Sequence, residues 1–137
     1  MAYWLFKTEP ESFSWEDQKK RGDAGEPWSG VRNFRAASNM KKMRKGDLGF
    51  FYHTGEEKRI VGIVEVIGEY RKDPTDETGR FGLVDVKAVK DVPSPVTLAT
   101  VKADPKLKDM ILAKYPRLSV QPVTDEEWTY ICKMGGL

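Results

Sequence analysis

The sequence predicts an α+β domain, a small, strongly curved mixed β-barrel or sheet with helices packed on it. Three observations carry this. β-branched and aromatic residues concentrate in three consecutive runs, Leu48 to His53, Arg59 to Tyr70 and Phe81 to Val89. Helical patterns lie at both ends and between the strands without alternating regularly with them, which argues against a doubly wound parallel sheet. Glycines 62 and 68 interrupt the middle run, as bends or bulges do where a sheet curls toward closure. With 137 residues, the chain has room for one domain over 1–137 and not two.

Each element has a local reason. Tyr3 to Lys7 is aromatic and apolar and reads as a first strand. Ser14 begins a helix, with Asp17 three residues on in a capping-box arrangement. A loop punctuated by glycine and proline spans Arg21 to Gly30. Asn33 to Met43 is helical, with Ala36, Ala37, Met40 and Met43 on one side and cations over the rest. Lys45-Gly46-Asp47 is a turn. The run from Arg59 to Tyr70 is apolar on both alternating faces, as in a strand covered on two sides. Pro93 and Pro95 end the strand section. Asp104-Pro105 starts a helix that carries Leu107, Met110 and Ile111. Leu118 to Val123 is a closing strand, placed at an edge by Pro122. Thr124, capped reciprocally by Glu127, opens a last helix that buries Trp128, Ile131 and Cys132.

Composition narrows the class of function. Hydrophobic content of 39% and charged content of 32% describe a soluble globular chain. The longest apolar run, Ile60 to Ile67, is broken by Glu65 and too short to span a bilayer, so no membrane partner is expected. Cys132 is the single cysteine, which excludes an intramolecular disulfide. Met1 leads directly into strand-like sequence and not into a secretory leader, and together these set the expectation of a cytoplasmic protein. Net charge is only +2, but Arg32, Arg35, Lys41, Lys42, Arg44 and Lys45 crowd one stretch without an acid. Such asymmetry suits either a phosphate backbone or a solvated helix face.

Catalytic signatures are missing. The chain has one histidine, His53, and no cluster of Cys and His at zinc-binding spacing. It has no phosphate-cradling glycine loop and no G-x-S-x-G elbow. The expectation is a non-catalytic protein with no cofactor and no metal. Three polar-aromatic segments stand out instead: Lys7-Thr8-Glu9-Pro10, Trp28-Ser29-Gly30-Val31-Arg32-Asn33, and Phe50-Phe51-Tyr52-His53-Thr54. Each also has a structural reading: a strand leaving for solvent, an indole filling a hole under its loop, Asn33 as a helix cap, His53 as a satisfied core residue. Alternation along the third segment puts Phe50 and Tyr52 on one face, and Phe51 and His53 on the other. Taken together, aromatic rings and short polar groups beside a cationic helix fit the stacking and edge-reading of a nucleobase.

These blocks resemble the EVE domain family. The resemblance rests on Tyr3 to Pro10, Ser14-Trp15, Trp28 to Asn33, Gly46-Asp47 with Phe50 to His53, Ile60 to Val66, and Leu118 to Val123. They occur in the family's order across almost the whole chain. The resemblance implies a PUA-like fold, related to that of the YTH readers of methylated adenosine. It also implies a reader of modified bases in DNA or RNA, cytosine modifications being favoured. A Lys-Ser/Thr segment and a tryptophan form the pocket in the family, which implies base-binding roles for Lys7, Thr8, Glu9, Trp28 and Ser29. The matching blocks add Val31, Asn33, Tyr52 and His53; they supply no second wall, for which Tyr70 and Phe81, flanking the Arg71 to Arg80 loop, are the candidates. Phe34 stands where the family often has tyrosine, so this chain lacks a hydroxyl there. The expectation is an exposed Trp28 stacking on the base, Thr8, Glu9, Ser29 and Asn33 reading its edge, and Arg32, Arg35, Lys41 and Lys42 holding phosphates. Trp28→Ala is expected to abolish base-dependent binding with the fold intact. Two rivals remain: a sensor of free modified nucleosides, and an enzyme on modified bases using Glu9 or His53.

Overall fold

In the computed structural model, which describes residues 1–137, the strands are β1 (Tyr3–Thr8), β2 (Glu26–Pro27), β3 (Leu48–His53), β4 (Arg59–Lys72), β5 (Gly82–Thr97) and β6 (Val120–Val123). The helices are α1 (Trp15–Lys20), α2 (Phe34–Lys41), α3 (Leu98–Ala103), α4 (Ile111–Lys114) and α5 (Asp125–Met134). All six strands form one sheet in the order β2-β5-β4-β3-β1-β6. β1 and β3 run parallel, in the register Tyr3↔Leu48 to Thr8↔His53, and the other pairings are antiparallel. The sheet curls without closing, because its end strands β2 and β6 do not pair.

Because successive strand residues face opposite sides, the central strands divide the core in two. On one face Trp4, Phe6, Phe51, Val64 and Val84 pack with Trp15, Trp28 and the α2 residues Ala36 and Met40. On the other, Leu5, Phe50, Tyr52, Ile60 and Ile63 pack beneath Val101, Trp128 and Ile131. Trp128 of α5 stacks on Phe50 at 4.1 Å and on Tyr3 at 4.4 Å between ring centroids.

The helix starts follow the caps read from sequence. Ser14 and Thr124 close capping boxes with Asp17 and Glu127, and the Asn33 side chain accepts from the Ala36 backbone N–H. The register of β4 on β5 shifts at Gly62 and again at Gly68, the two interruptions expected to bend the sheet. Asp47, read from sequence as part of a turn, is a buried anchor. Its carboxylate accepts from the Ala2 and Arg44 backbone N–H groups and from Trp4 Nε1.

Four expectations need correction. β5 continues through Pro93 and Pro95, because both fall in the irregular stretch between the Ile60↔Val96 and Gly62↔Asp91 pairs, where no ladder donor is required. A helix precedes Asp104 instead of starting there: Thr97 caps α3 by accepting from Thr100 N–H. Asp104 itself accepts from Lys106 N–H in a local turn, and that turn delivers Leu107 and Met110 to the core without a helix. The expected loop from Arg21 to Gly30 holds a 3₁₀ turn (Gly22–Ala24) and the two-residue β2. Cys132 is half-buried, at the margin of the second core.

The close approach of Trp15 to the sheet sets a steric limit. Its indole lies flat over Gly62, held by an Nε1–H donated to Asp91 Oδ1 at 2.6 Å. A Cβ at position 62 would sit inside contact distance of the ring. Gly62→Ala is therefore expected to destabilise the fold by about 1–3 kcal/mol, the usual range for overpacking. Urea unfolding would report this as a lower midpoint with an unchanged m-value.

Candidate nucleic-acid interface

The segment carrying Trp28 is shaped by distant partners. β2 pairs with β5 through Glu26↔Val86 and Pro27↔Asp85, and Trp28 N–H donates to the Val84 carbonyl at 2.8 Å. This lays the indole across the first core face. Beyond it the chain turns through Gly30, whose φ of +84° is the left-handed region that glycine adopts without a Cβ clash. Gly30 N–H then donates to Asp73 Oδ2 at 2.8 Å. The Asp73 side chain is 0% exposed and also accepts from Arg32, at 3.2 Å, and from Thr75. Burial alone would push its carboxyl up, but the hydrogen bonds from Thr75, Gly30 and Arg32 outweigh it and hold the group below the usual carboxylate range.

A hollow of about 300 Å³ opens beside this segment. Trp28 and Phe13 give it apolar walls, and Thr8, Ser12 and Ser29 give it small polar groups. Arg21 and Glu26 also line it, paired at 2.9 Å. The volume lies at the lower end of small-ligand pockets, about 300–1,000 Å³, and suits one heterocyclic ring better than a whole nucleotide. Trp28 is not exposed as expected: at 8% exposure it is wedged edge-on against Phe6, Phe13 and Phe51, with centroids 5.3–6.2 Å away. It is a rigid wall of the hollow and part of the core at once.

The structure gathers Thr8, Trp28 and Ser29 in this hollow and separates the other residues assigned to base binding. Lys7 and Tyr52 point to the opposite sheet face, since each precedes by one the residue that faces the indole side. Glu9 is exposed and contributes its backbone carbonyl, which accepts from Ser12 and Phe13 N–H groups. Val31 is a buried member of the first core, and Asn33 is spent as the α2 cap. His53, 7% exposed, accepts at Nε2 from Trp15 N–H at 2.9 Å. The neutral ring therefore carries its proton on Nδ1 and donates it to Glu57, so both nitrogens are occupied. This bond to His53, with that from Arg59, holds the Glu57 carboxyl below its ordinary range.

Of the four cations assigned to phosphates, Arg32 is committed to Asp73 and Thr75. The other three, Arg35, Lys41 and Lys42, lie exposed on α2 and at its C-terminal cap, on the same sheet face as the hollow. Arg35 lies over the Tyr115 ring at 4.6 Å and Lys41 over Tyr70 at 5.6 Å. Neither suggested second wall reaches the hollow: Tyr70 lies under Lys41, and Phe81 stacks on the exposed Phe34 at 4.7 Å. Phe13 is the second wall. Sequence reading misses it, together with Ser12, Arg21, Glu26 and Pro27: Ser12 and Phe13 are placed by the turn after β1, where their N–H groups donate to the Glu9 carbonyl, and Glu26 and Pro27 by the pairing of β2 with β5. A larger concavity, about 730 Å³, lies by α5, but Asp125, Glu126 and Glu127 line it and would repel a polyanion.

Comparison with known proteins agrees with this architecture. Thymocyte nuclear protein 1 of Gallus gallus is 33% identical over 97% of this chain and 68% of its own length. A protein of Agrobacterium tumefaciens is 52% identical, with a TM-score of 0.98 over 100% of this chain and 94% of its own. The human THYN1 protein, solved in complex with DNA containing 5-methylcytosine, is 30% identical, with a TM-score of 0.93 over 100% of this chain and 99% of its own. The YTH domain of a Zygosaccharomyces rouxii protein shares the fold at 17% identity, with a TM-score of 0.59 over 99% of this chain and 87% of its own. The EVE domain model matches residues 2–134, and the chain belongs to the EVE domain family.

Proposed function

We propose that this protein is a binding module for a modified base, with modified cytosine the favoured guest, carried in DNA or RNA. The observation that supports it most is the hollow beside Trp28, sized for one ring and walled by two aromatic side chains and short polar groups. The base leaves its stack, at a cost of a few kcal/mol, and enters edge-first against the Trp28 and Phe13 walls. Ser12 and Ser29 offer hydroxyls to its edge, and Thr8, whose hydroxyl donates to the Phe13 carbonyl at 3.0 Å, offers an acceptor. An added methyl gains about 1–3 kcal/mol from a fitted apolar wall, so selectivity depends on these polar groups as well. The exposed cations at α2 supply backbone affinity without sequence choice. The complex of the human relative with 5-methylcytosine-containing DNA supports the choice of guest.

Because Trp28 is buried, Trp28→Ala would cost about 3–5 kcal/mol of stability and would not leave the fold intact. Trp28→Phe, which keeps an aromatic core group, is the better test. It should reduce the preference for a modified over an unmodified oligonucleotide at least tenfold, measured by titration calorimetry. An unchanged preference would remove this hollow from recognition.

The backbone contacts have a separate readout. Log affinity should fall with log salt at about 0.9 per phosphate neutralised on duplex DNA. Lys41→Ala with Lys42→Ala should flatten that slope while leaving the ratio between modified and unmodified bases in place. Salt-independent binding would favour recognition of a free nucleoside.

Asp73 gives a pH-dependent test. A carboxyl whose pKa is depressed on folding stabilises above its unfolded pKa of about 3.9, and that stability is lost as pH falls through the folded value. Asp73→Asn should lower stability at pH 7 by about 1–3 kcal/mol and flatten the loss of stability below about pH 4. It should also weaken base-dependent binding, because Gly30 and Arg32 lose the group that holds the Trp28 segment. Thermal unfolding from pH 2 to 7 and oligonucleotide titration check the two parts.

A further inference from the structure

The face opposite the Trp28 hollow carries a second, smaller cavity of about 220 Å³. Three lysines from three separate elements line it: Lys7 at the end of β1, Lys58 just before β4, and Lys102 on α3. No carboxylate lines it, and none of the three lysines takes part in an ion pair. Glu56 and Glu57 lie in the neighbouring surface groove, and Glu57 is already engaged by His53 and Arg59. Lys58 and Lys102 also line that groove and are exposed, but around the hollow itself three ammonium groups with no carboxylate raise the local positive potential and favour an anion.

Two independent features point the same way. Lys58 is the one residue other than glycine with a positive φ, at +46°, and its carbonyl is pinned by Leu98 N–H at 2.8 Å. A long side chain held in the left-handed region is an uncommon arrangement that the surrounding structure must enforce. Thr54 also lines the cavity, and its hydroxyl is buried with no hydrogen-bond partner. That oxygen is shut off from solvent, and a rotation about χ1 would turn it toward an anion in the hollow. Lys7 donates to the Pro116 carbonyl at 3.0 Å, which leaves further ammonium protons for a guest. Burial holds its pKa below the ordinary lysine value, with no acid nearby to offset it.

From these observations we infer that Lys7, Lys58 and Lys102, with the Thr54 hydroxyl, form a binding site for a phosphate group, separate from the base hollow. The volume admits one tetrahedral anion, and a lysine lining favours it over an uncharged ring. Lys7 and Thr8 are neighbours on β1 but face opposite ways, so the two hollows flank the end of a single strand. The phosphate is either free or part of a nucleic-acid backbone that rounds that strand end.

The test is a titration of the ¹⁵N-labelled protein with inorganic phosphate, using chloride at equal ionic strength as the control. Saturable shifts are expected at the Thr54, Gly55 and Lys58 amides, with none at Trp28 or Ser29. Lys58 and Lys102 are both exposed, so K58N (asparagine tolerates the left-handed backbone) with K102Q should fold and bind phosphate at least tenfold more weakly. K7M, which keeps the stem packing, should do the same. A parallel titration with a duplex oligonucleotide separates the sources. If the phosphate belongs to a backbone, K58N/K102Q also lowers the salt slope by about 0.9 for each phosphate no longer neutralised. If it is free, the slope is unchanged while the phosphate shifts disappear. The site is overturned if phosphate shifts persist in both variants. It is equally overturned if the parent shows no saturable shifts and the variant leaves the salt slope unmoved. Trp28→Phe should leave the phosphate shifts in place, so this site and the base hollow fail independently.

Discussion

The parallel pairing of β1 with β3 at the centre of the sheet is the constraint on which the other features depend. It fixes two adjacent strands in register, from Tyr3↔Leu48 to Thr8↔His53, and buries both of their faces. With a side-chain period of two, every neighbouring pair along these strands must divide between the faces. Trp4 and Phe6 go to the indole side, and Leu5 to the other. The division continues to the strand ends, where the chain leaves its core for chemistry. There Thr8 joins Trp28, and Lys7 joins Lys58 and Lys102. Two hollows of opposite character follow from one register.

That same constraint explains how much of the site is legible in the sequence. The alternation is visible in Phe50 to His53, yet the family blocks draw Lys7, Thr8, Tyr52 and His53 toward one pocket. A run of consecutive residues on a strand cannot all face one ligand, and here half of each block serves the opposite side. Caps are legible because they are local: Ser14 with Asp17, Asn33, and Thr124 with Glu127 need only a few residues of context. β4 and its bulges are legible because an apolar run covered on both faces, broken by glycine, has few other readings. β5 reads too short, since Pro93 and Pro95 are strand breakers unless a bulge releases them from the ladder.

The walls of the hollow are illegible for a different reason. Ser12 and Phe13 enter it from an irregular turn after β1, and Glu26 and Pro27 reach it only because β2, two residues long, attaches to β5 some sixty positions later in the chain. No propensity marks a two-residue strand. Asp73 is hidden in the same way: it reads as a polar loop residue, yet its side chain is buried and bonded to Gly30 and Arg32 across more than forty residues. Arg32 reads as a phosphate ligand because a cation in a basic stretch has no visible partner in sequence. Its acid arrives from the turn between β4 and β5, and the pair fastens the pocket segment to the sheet.

A buried indole is better placed for recognition than the exposed one expected from sequence. An exposed tryptophan would lose rotamer freedom when a guest arrives, and ordering a side chain on binding costs about 0.5–1.5 kcal/mol. Trp28 has already met that cost on folding, through Phe6, Phe13 and Phe51 packed edge-on around it. Its segment is fixed at both ends, by Val84 on one side and Asp73 on the other. Extruding a base consumes a few kcal/mol, and a single methyl returns only about 1–3 kcal/mol. With margins that narrow, a wall that moves would erase the discrimination. The rigidity that makes Trp28 look like core is therefore what the proposed reading of a small, selective hollow requires of its wall.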